Sequence, residues 1–247
     1  MTDLLLIVPH PDDEVFGAGA LLARTAAAGG RVAVLTLTKG AAGRTLGLAT
    51  REELPRVREA ELREALDTLG VADVTVADYQ DYVPDDDRGM PPHAGLVTVP
   101  EEELLDLMVT TIERTRPRAV LTFPPNGSNG HPDHVVTSRL ATEAVKRSAH
   151  RVDALYYYAS DKPFEGPQRP GFLPEERMHA LRLAPTHRLE AGEELALKLS
   201  AMACYRTQAL SVLGFMRKLP ERLLVETFHR AEPPVEPGAG VVTTSRL

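Results

Sequence analysis

The chain has 247 residues, of which 43% are hydrophobic and 5% aromatic, and its formal net charge is −7. This length suits a single α/β domain with one sizeable core, and the negative charge argues against nucleic-acid or anionic membrane partners, which favour basic patches. A single cysteine, Cys204, excludes an intrachain disulfide framework and a cysteine-rich zinc site. No stretch approaches the roughly 20 apolar residues of a membrane span. We therefore expect a cytoplasmic protein.

The first stretch with a chemical signature is residues 4–14, which read LLLIVPHPDDE. The apolar residues 4–8 predict a short buried strand, and the prolines that follow end it because they cannot donate to a strand ladder. His10, Asp12 and Asp13 then lie where the strand gives way to a helix, the edge at which open α/β sheets bind ligands. His10 and Asp13 are three residues apart, which suits two ligands on one metal. Asp12 is then not needed as a ligand.

The next elements alternate between helix and strand. Residues 17–28 predict a helix that ends at a glycine pair, and residues 31–38 predict a second strand. This order makes a right-handed βαβ unit, so the sheet is predicted to be mostly parallel. Residues 55–69 predict a further helix and residues 71–77 a third strand. Residues 83–100 are rich in proline and acid, and two interpretations stay open: part of a substrate rim, or a loop without a role.

A second motif follows in mid-chain. Thr98 with Glu101 predicts a capping box ahead of a helix that ends near Arg116. Residues 119–134 then read AVLTFPPNGSNGHPDH, which is an apolar strand, a loop rich in proline, glycine and asparagine, and a cluster of histidine and acid. The pattern repeats that of the N-terminus.

The second motif ends in His131, Asp133 and His134. If its strand is parallel to the first, both loops open on the same edge of the sheet and their imidazole and carboxylate groups converge. Either motif alone is also typical of turns and N-caps, and Asp133 is itself predicted to N-cap the next helix. The two motifs together predict a hydrolytic metal site at the C-terminal edge of the strands.

The remaining chain predicts strands over residues 154–159, 179–183 and 223–229, and a core helix over residues 192–207. We predict one domain over residues 1–230, with the fold of a Rossmann-like three-layer α/β sandwich. Residues 231–247 are rich in proline, glycine and valine and are predicted to form a flexible or lightly docked tail.

The strings PHPDDE and GHPDH resemble the motifs of the PIG-L/LmbE-like zinc-dependent de-N-acetylases, which remove acetyl groups from N-acetylglucosamine (GlcNAc) conjugates. The resemblance implies that His10, Asp13 and His134 bind the metal, that Asp12 is the general base and acid, and that His131 stabilises the oxyanion. It implies zinc as the cofactor. Fe²⁺ or another divalent metal is an alternative, since raw affinity discriminates poorly among them.

The same resemblance implies roles for further residues. Arg58 lies in an R-x-x-E-x-x-x-A-x-x-x-L-G pattern and is expected to contact the substrate, against the alternative of a solvated helix face. Asp81 matches an acid that binds sugar hydroxyls in relatives. Asn129, a third expected substrate contact, replaces the tyrosine of sugar-thiol pathway members, so no specific substrate carries over. Asp133 either holds His131 in its charged form or only caps the helix.

The sequence therefore predicts a metal-dependent hydrolase that removes the N-acetyl group of a small GlcNAc conjugate. The alternatives are a metal-dependent hydrolase of another small amide and a non-catalytic sugar-binding or metal-binding relative. A nucleotide-binding βαβ domain is disfavoured because PHPDDE stands where its glycine-rich fingerprint is required. The sequence does not specify the aglycone, and it leaves open whether the protein forms a homo-oligomer.

Overall fold

The computed structural model describes residues 2–85, 90–166, 169–236, 240–245 and 247. Among these residues, no helix combines the length and the apolar character needed to cross a membrane. The strands are β1 (Thr2–Val8), β2 (Val32–Thr38), β3 (Asp73–Tyr79), β4 (Tyr82–Val83), β5 (His93–Ala94), β6 (Pro117–Thr122), β7 (Ala154–Tyr158), β8 (His187–Glu190), β9 (Val225–Glu232) and β10 (Val242–Thr243).

One large sheet organises the fold, with strand order β10-β8-β9-β7-β6-β1-β2-β3. The five strands from β7 to β3 are parallel, whereas β9 runs antiparallel to both of its neighbours. Strands β4 and β5 form a separate two-stranded ribbon. The helices are α1 (Asp13–Ala27), α2 (Leu54–Thr68), α3 (Glu101–Thr115), α4 (Gly127–Gly130), α5 (Pro132–Arg147), α6 (Glu175–Ala180), α7 (Leu195–Cys204), α8 (Ala209–Lys218) and α9 (Glu221–Leu224).

Alternate residues of the central strand β1 enter two cores, one on each face of the sheet. Leu4, Leu6 and Val8 join the core formed with α1, α2 and α7, whereas Leu5 and Ile7 join the core formed with α3 and α5. A strand covered on both faces needs apolar side chains at every position, which explains the continuous run at the N-terminus. The predicted three-layer α/β sandwich is thus confirmed.

Two elements of the second half differ from their predictions. Residues 179–183, predicted as a strand, contain the end of α6 and the turn after it. Pro174 followed by two glutamates favours a helix start, and this local preference prevails. The helix predicted over residues 192–207 ends at Cys204 because the chain turns at Tyr205. The turn allows the backbone N–H and the hydroxyl of Thr207 to donate to a buried carboxylate of α2.

The capping box predicted at Thr98 is wrong. Its hydroxyl donates to the carbonyl of Gly95 at 2.8 Å within a 3₁₀ turn, and Pro100 is the N-cap residue of α3. Of the predicted rim at residues 83–100, residues 86–89 lie outside the described chain.

The predicted tail, residues 231–247, is described only in part, because residues 237–239 and 246 lie outside the described chain. Its β10 pairs with β8 at the edge of the large sheet.

Candidate metal and active site

The two motifs emerge side by side because β1 and β6 are adjacent parallel strands, with Leu4 beside Ala119 and Leu6 beside Leu121. The loops that follow them therefore open on the same edge of the sheet, as predicted. His10 and the start of α1 come from the first loop, and the start of α5 comes from the second.

Three side chains converge at this edge. The Nδ1 atom of His10 lies 3.2 Å from Nε2 of His134 and 3.4 Å from Oδ2 of Asp13. The third pair, Nε2 of His134 and Oδ1 of Asp13, is separated by 3.6 Å. A tetrahedral metal with bonds of about 2.0–2.2 Å holds its ligand atoms roughly 3.3–3.6 Å apart. These side chains therefore fit one small divalent metal ion.

A hydrogen-bond contact on the outer side of each imidazole determines which of its nitrogens faces the candidate metal position. Nε2 of His10 lies 3.0 Å from Oδ2 of Asp133, and Nδ1 of His134 lies 3.0 Å from the carbonyl oxygen of Gly127. Each of these oxygens can only accept, so the hydrogen stays on the outer nitrogen and a lone pair points inward. Burial opposes a charge on His10, but its hydrogen bonds with Asp13 and Asp133 outweigh burial and raise its pKa. The surroundings that favour a proton there equally favour a metal cation.

The carboxylate of Asp133 is fully buried and does not cap α5. It accepts hydrogen bonds from the backbone N–H groups of Tyr82 and Leu96, both at 2.8 Å. The N-cap residue is His131, whose Nδ1 accepts the backbone N–H of Asp133 at 3.2 Å. The predicted N-cap role of Asp133 is therefore wrong, because that carboxylate is already shared between His10 and two backbone amides. Its Oδ2 lies 4.0 Å from Nδ1 of His131.

Asp12 lies beside the ligand set and has a strained backbone, with φ 101° in the left-handed region that non-glycine residues rarely adopt. Its N–H donates to Oε2 of Glu14 at 3.0 Å, and its Oδ2 accepts from Nη2 of Arg58 at 3.1 Å. Burial raises the pKa of Asp12 to about 7, although the charge of Arg58 opposes the rise. A carboxyl group with such a pKa can both take and return a proton near neutral pH.

The three predicted substrate-binding residues lie at different depths. Arg58 is only 4% exposed and also donates to the backbone carbonyls of Gly40 and Pro11, so the alternative of a solvated helix face is wrong. Asp81 is 5% exposed, and its Oδ2 accepts the N–H of Ala42 at 2.7 Å. Asn129 is half-buried and accepts the N–H of His131 through its side-chain oxygen.

A cavity of about 680 Å³ is lined by residues that contact the candidate site. Asn129, Tyr158 and Phe172 line it. Each of these contacts the candidate site, since the hydroxyl of Tyr158 donates to the carbonyl of Asp13 at 3.5 Å and the ring of Phe172 lies 4.9 Å from that of His131. The cavity therefore borders the candidate site through these residues, of which Asn129 is itself a predicted site residue.

One contact that sequence reasoning missed comes from the far end of the chain. The hydroxyl of Tyr205, just after α7, donates to Oε1 of the fully buried Glu14. The same Glu14 holds the backbone of Asp12. Tyr205 is 191 residues from Glu14 and lies in a segment with the pattern of a core helix, so no local signal could reveal it.

Comparison with known proteins identifies the family. The model of the PIG-L family, described as GlcNAc-PI de-N-acetylase, matches residues 5–145. A 1D-myo-inositol 2-acetamido-2-deoxy-alpha-D-glucopyranoside deacetylase 2 of Catenulispora acidiphila is 30% identical over 240 residues, covering 83% of this chain and 79% of that protein. The chain belongs to the PIG-L family, as its motifs predicted.

Other similarities cover different parts of the chain. A 1D-myo-inositol 2-acetamido-2-deoxy-alpha-D-glucopyranoside deacetylase of Rhodococcus erythropolis is 36% identical over 157 residues, and the match spans 59% of this chain but only 53% of that relative. The crystal structure of a conserved protein from Thermus thermophilus is 29% identical, with a TM-score of 0.64 over 92% of this chain and 94% of that one.

The fold alone does not fix the reaction. The structure of a 4-carboxy-2-hydroxymuconate hydratase from Pseudomonas putida matches 95% of this chain and 98% of its own length, with a TM-score of 0.69 and 19% identity. That similarity shows a shared architecture and nothing of the chemistry, so the activity must be argued from the site.

Proposed function

We propose that the protein is a metal-dependent de-N-acetylase that hydrolyses the N-acetyl group of a small GlcNAc conjugate. The observation that carries this proposal is the mutual spacing of His10, Asp13 and His134, with the carboxylate of Asp12 beside them and not among them. The deacetylases named among the relatives support it, since they act on a GlcNAc-inositol conjugate.

The metal would be held by Nδ1 of His10, Nε2 of His134 and the carboxylate of Asp13. Zinc suits two imidazoles and one carboxylate, and Fe²⁺ or another divalent ion suits the same donors. When bound in an open three-ligand site, such a metal lowers the pKa of water to about 7 and polarises a carbonyl. The chain's own residues supply the proton transfers and the orientation.

Asp12 takes the proton of the attacking water and returns it to the departing amine. Its position is set by Arg58 on the carboxylate and by Glu14 on the backbone N–H. A pKa of about 7 allows both directions of transfer within one turnover.

His131 stabilises the oxyanion of the tetrahedral intermediate. Its Nδ1 accepts a backbone N–H, so the ring hydrogen is on Nε2, and an N–H at that position can donate toward a carbonyl oxygen. Loss of one such donor costs roughly 2.7–4 kcal/mol of transition-state stabilisation. Asn129 bonds the backbone of His131 and thereby connects the cavity wall to this residue.

The test is acetate release from GlcNAc-inositol, free GlcNAc and simple aryl GlcNAc conjugates by zinc-loaded protein. We expect release that stops on chelation and is absent in Asp12→Asn, whose metal content stays at the wild-type value. His134→Ala should lose metal and activity together. Stoichiometric zinc in His134→Ala would contradict the ligand assignment.

A metal-dependent hydrolase of another small amide has the same site, and only substrates separate it from a GlcNAc deacetylase. Release of acetate from non-sugar acetamides, with none from any GlcNAc conjugate, would favour that alternative. Metal binding without hydrolysis of either class would favour a binding protein.

A further inference from the structure

The outer wall of the cavity beside the site is strongly basic. Five cationic side chains line it, from the segment after β7, from α8 and from α9. Glu165 is the one carboxylate residue among the described residues of the lining. In a chain of net charge −7, this concentration of cations is not a reflection of overall composition. We call this wall the basic wall, and its cations are Lys162, Arg169, Arg182, Lys218 and Arg222.

Arg222 is the most informative member of the basic wall. It is half-buried, and within the described part of the chain its guanidinium has neither a hydrogen bond nor an ion pair, only a contact with the ring of Phe215 at 5.9 Å. Burial lowers the pKa of Arg222, although Glu226, Tyr158 and Glu221 oppose the fall. A half-buried guanidinium without a protein acceptor leaves its N–H donors open to an acceptor on a ligand.

The nearby acids are already engaged by other cations. Glu226 accepts from Nζ of Lys198 at 2.8 Å and from two backbone amides of α1. Glu221 accepts from Nζ of Lys162 at 2.8 Å. Among the described residues, neither carboxylate forms an ion pair with Arg222, although the charges of both raise its pKa.

Two other members of the basic wall form no ion pair with a described residue. The guanidinium of Arg182 donates to the backbone carbonyls of Ser160 and Asp161, which hold it without neutralising it. Lys218 is exposed and, among the described residues, has no ion pair. Together with Arg222, they place around one cavity three cations that form no ion pair with another described residue.

We propose that the basic wall is a subsite for an anionic group, a carboxylate or a phosphate, on the aglycone of the conjugate. The inference rests on the proposed function, which places the acetamide at the metal ligands. Tyr158 lies between the two regions, since its hydroxyl contacts Asp13 and its side chain lines the same cavity as Arg222. A guanidinium presents a fork of donors that matches either oxyanion.

The experiment compares matched conjugates that differ in charge. Acetate release is measured from phenyl β-GlcNAc, from its 4-carboxyphenyl counterpart and from GlcNAc 1-phosphate, so that carboxylate and phosphate are separate arms. The variants are Arg222→Gln, Arg222→Lys and Lys218→Gln. The matched control is Arg217→Gln, which removes one exposed charge from the same helix region outside the cavity lining.

We expect wild type to favour at least one anionic conjugate by about tenfold or more in kcat/KM, and Arg222→Gln to lower that preference by about tenfold. Arg222→Lys should retain part of the preference and Arg217→Gln all of it. An equal kcat/KM for charged and neutral conjugates in wild type would overturn the proposal, as would an unchanged preference in Arg222→Gln. If Arg222→Gln does not fold, Lys218→Gln serves as the test variant, and we expect it to lower the preference for the anionic conjugate by a smaller factor.

A binding measurement separates this proposal from the deacetylase activity. Calorimetry with Asp12→Asn protein, in which turnover is not expected, compares the same conjugates without hydrolysis. Tighter binding of the anionic conjugate that weakens in the Asp12→Asn, Arg222→Gln double variant supports the subsite even if no acetate is ever released. If neutral and anionic conjugates bind equally while wild type releases acetate normally, the anionic subsite is contradicted and the proposed deacetylase activity is retained.

Discussion

A left-handed backbone and two neighbouring side chains position Asp12 next to the three proposed metal ligands. The backbone of Asp12 is in the left-handed region, and the Glu14 carboxylate holds it by accepting the Asp12 N–H. Arg58 then fixes the carboxylate itself. Because Arg58 is buried and donates to Asp12, we infer that it positions the carboxylate that acts as the base in the proposed function.

Removal of the Arg58 guanidinium should therefore lower turnover more than substrate affinity. In Arg58→Gln we expect kcat to fall about 10- to 100-fold, a part of the roughly 10²–10⁴-fold that general acid–base catalysis supplies. Bound metal should stay stoichiometric. Steady-state kinetics with metal analysis checks this, with Arg56→Gln on the exposed side of the same helix as control. A rise in KM alone would instead assign Arg58 to the substrate.

At the scale of elements, β9 is tied to two helices by one buried ion pair. Glu226 of β9 accepts from the N–H groups of Ala20 and Leu21 in α1, and from Nζ of Lys198 in α7. Lys198 also donates to the carbonyl of Arg222, and both charged side chains are almost fully buried. This pair joins the antiparallel strand β9 to the helical layer that carries the start of α1.

Breaking this pair on one side should destabilise the protein strongly. Glu226→Gln leaves Lys198 charged and buried without a counterion, and we expect the free energy of unfolding to fall by about 3–5 kcal/mol. Denaturant unfolding measures it, with Glu193→Gln as an exposed control. Adding Lys198→Met to Glu226→Gln should recover part of the loss, because the unpaired charge is gone. A strictly additive loss would contradict the assigned coupling.

The pairing of β8 with β9 adds a pH-dependent contribution to stability. Burial lowers the pKa of His187 in β8, and the charges of Arg230 and His229 lower it further. A folded-state pKa below the unfolded value of about 6.5 means that the unfolded chain binds the proton more tightly. The contribution is present above pH 6.5 and is lost as the pH falls through the folded-state pKa.

We therefore expect the unfolding free energy to decline on acidification below about pH 6.5, and to decline less in His187→Gln. Denaturant unfolding of both proteins is measured at matched pH values between about 7 and about 5, a range that includes the ordinary pKa of histidine. Parallel curves for the two proteins would refute the assignment.

At the scale of the whole molecule, the sequence predicts the proximity that follows from strand order and misses the contacts that depend on how side chains pack. Both motifs follow apolar runs directly, so their place at the end of buried parallel strands can be predicted from neighbouring residues alone. Of the two interpretations of Asp133, the cap is wrong, and the sequence could not show this because its partners, Tyr82, Leu96 and His10, are 37 to 123 residues away. The contact of Tyr205 with Glu14 is longer still. Contacts over such sequence distances depend on how helices and strands pack together, and this packing cannot be predicted from residue type and spacing alone.

Metal removal tests the site and the fold together, because the proposed ligands come from the loop after β1, the start of α1 and the start of α5, in different halves of the chain. An ion bound only by the folded state at about a hundred times its Kd adds about 2.7 kcal/mol of stability, or roughly 5–10 °C in Tm for a chain of this size. We expect zinc to raise the Tm of chelated protein by that amount. Asp12→Asn should keep the rise and His134→Ala should lose it. A full rise in His134→Ala would place the metal elsewhere, since Nε2 of His134 is one of the three atoms that define the centre.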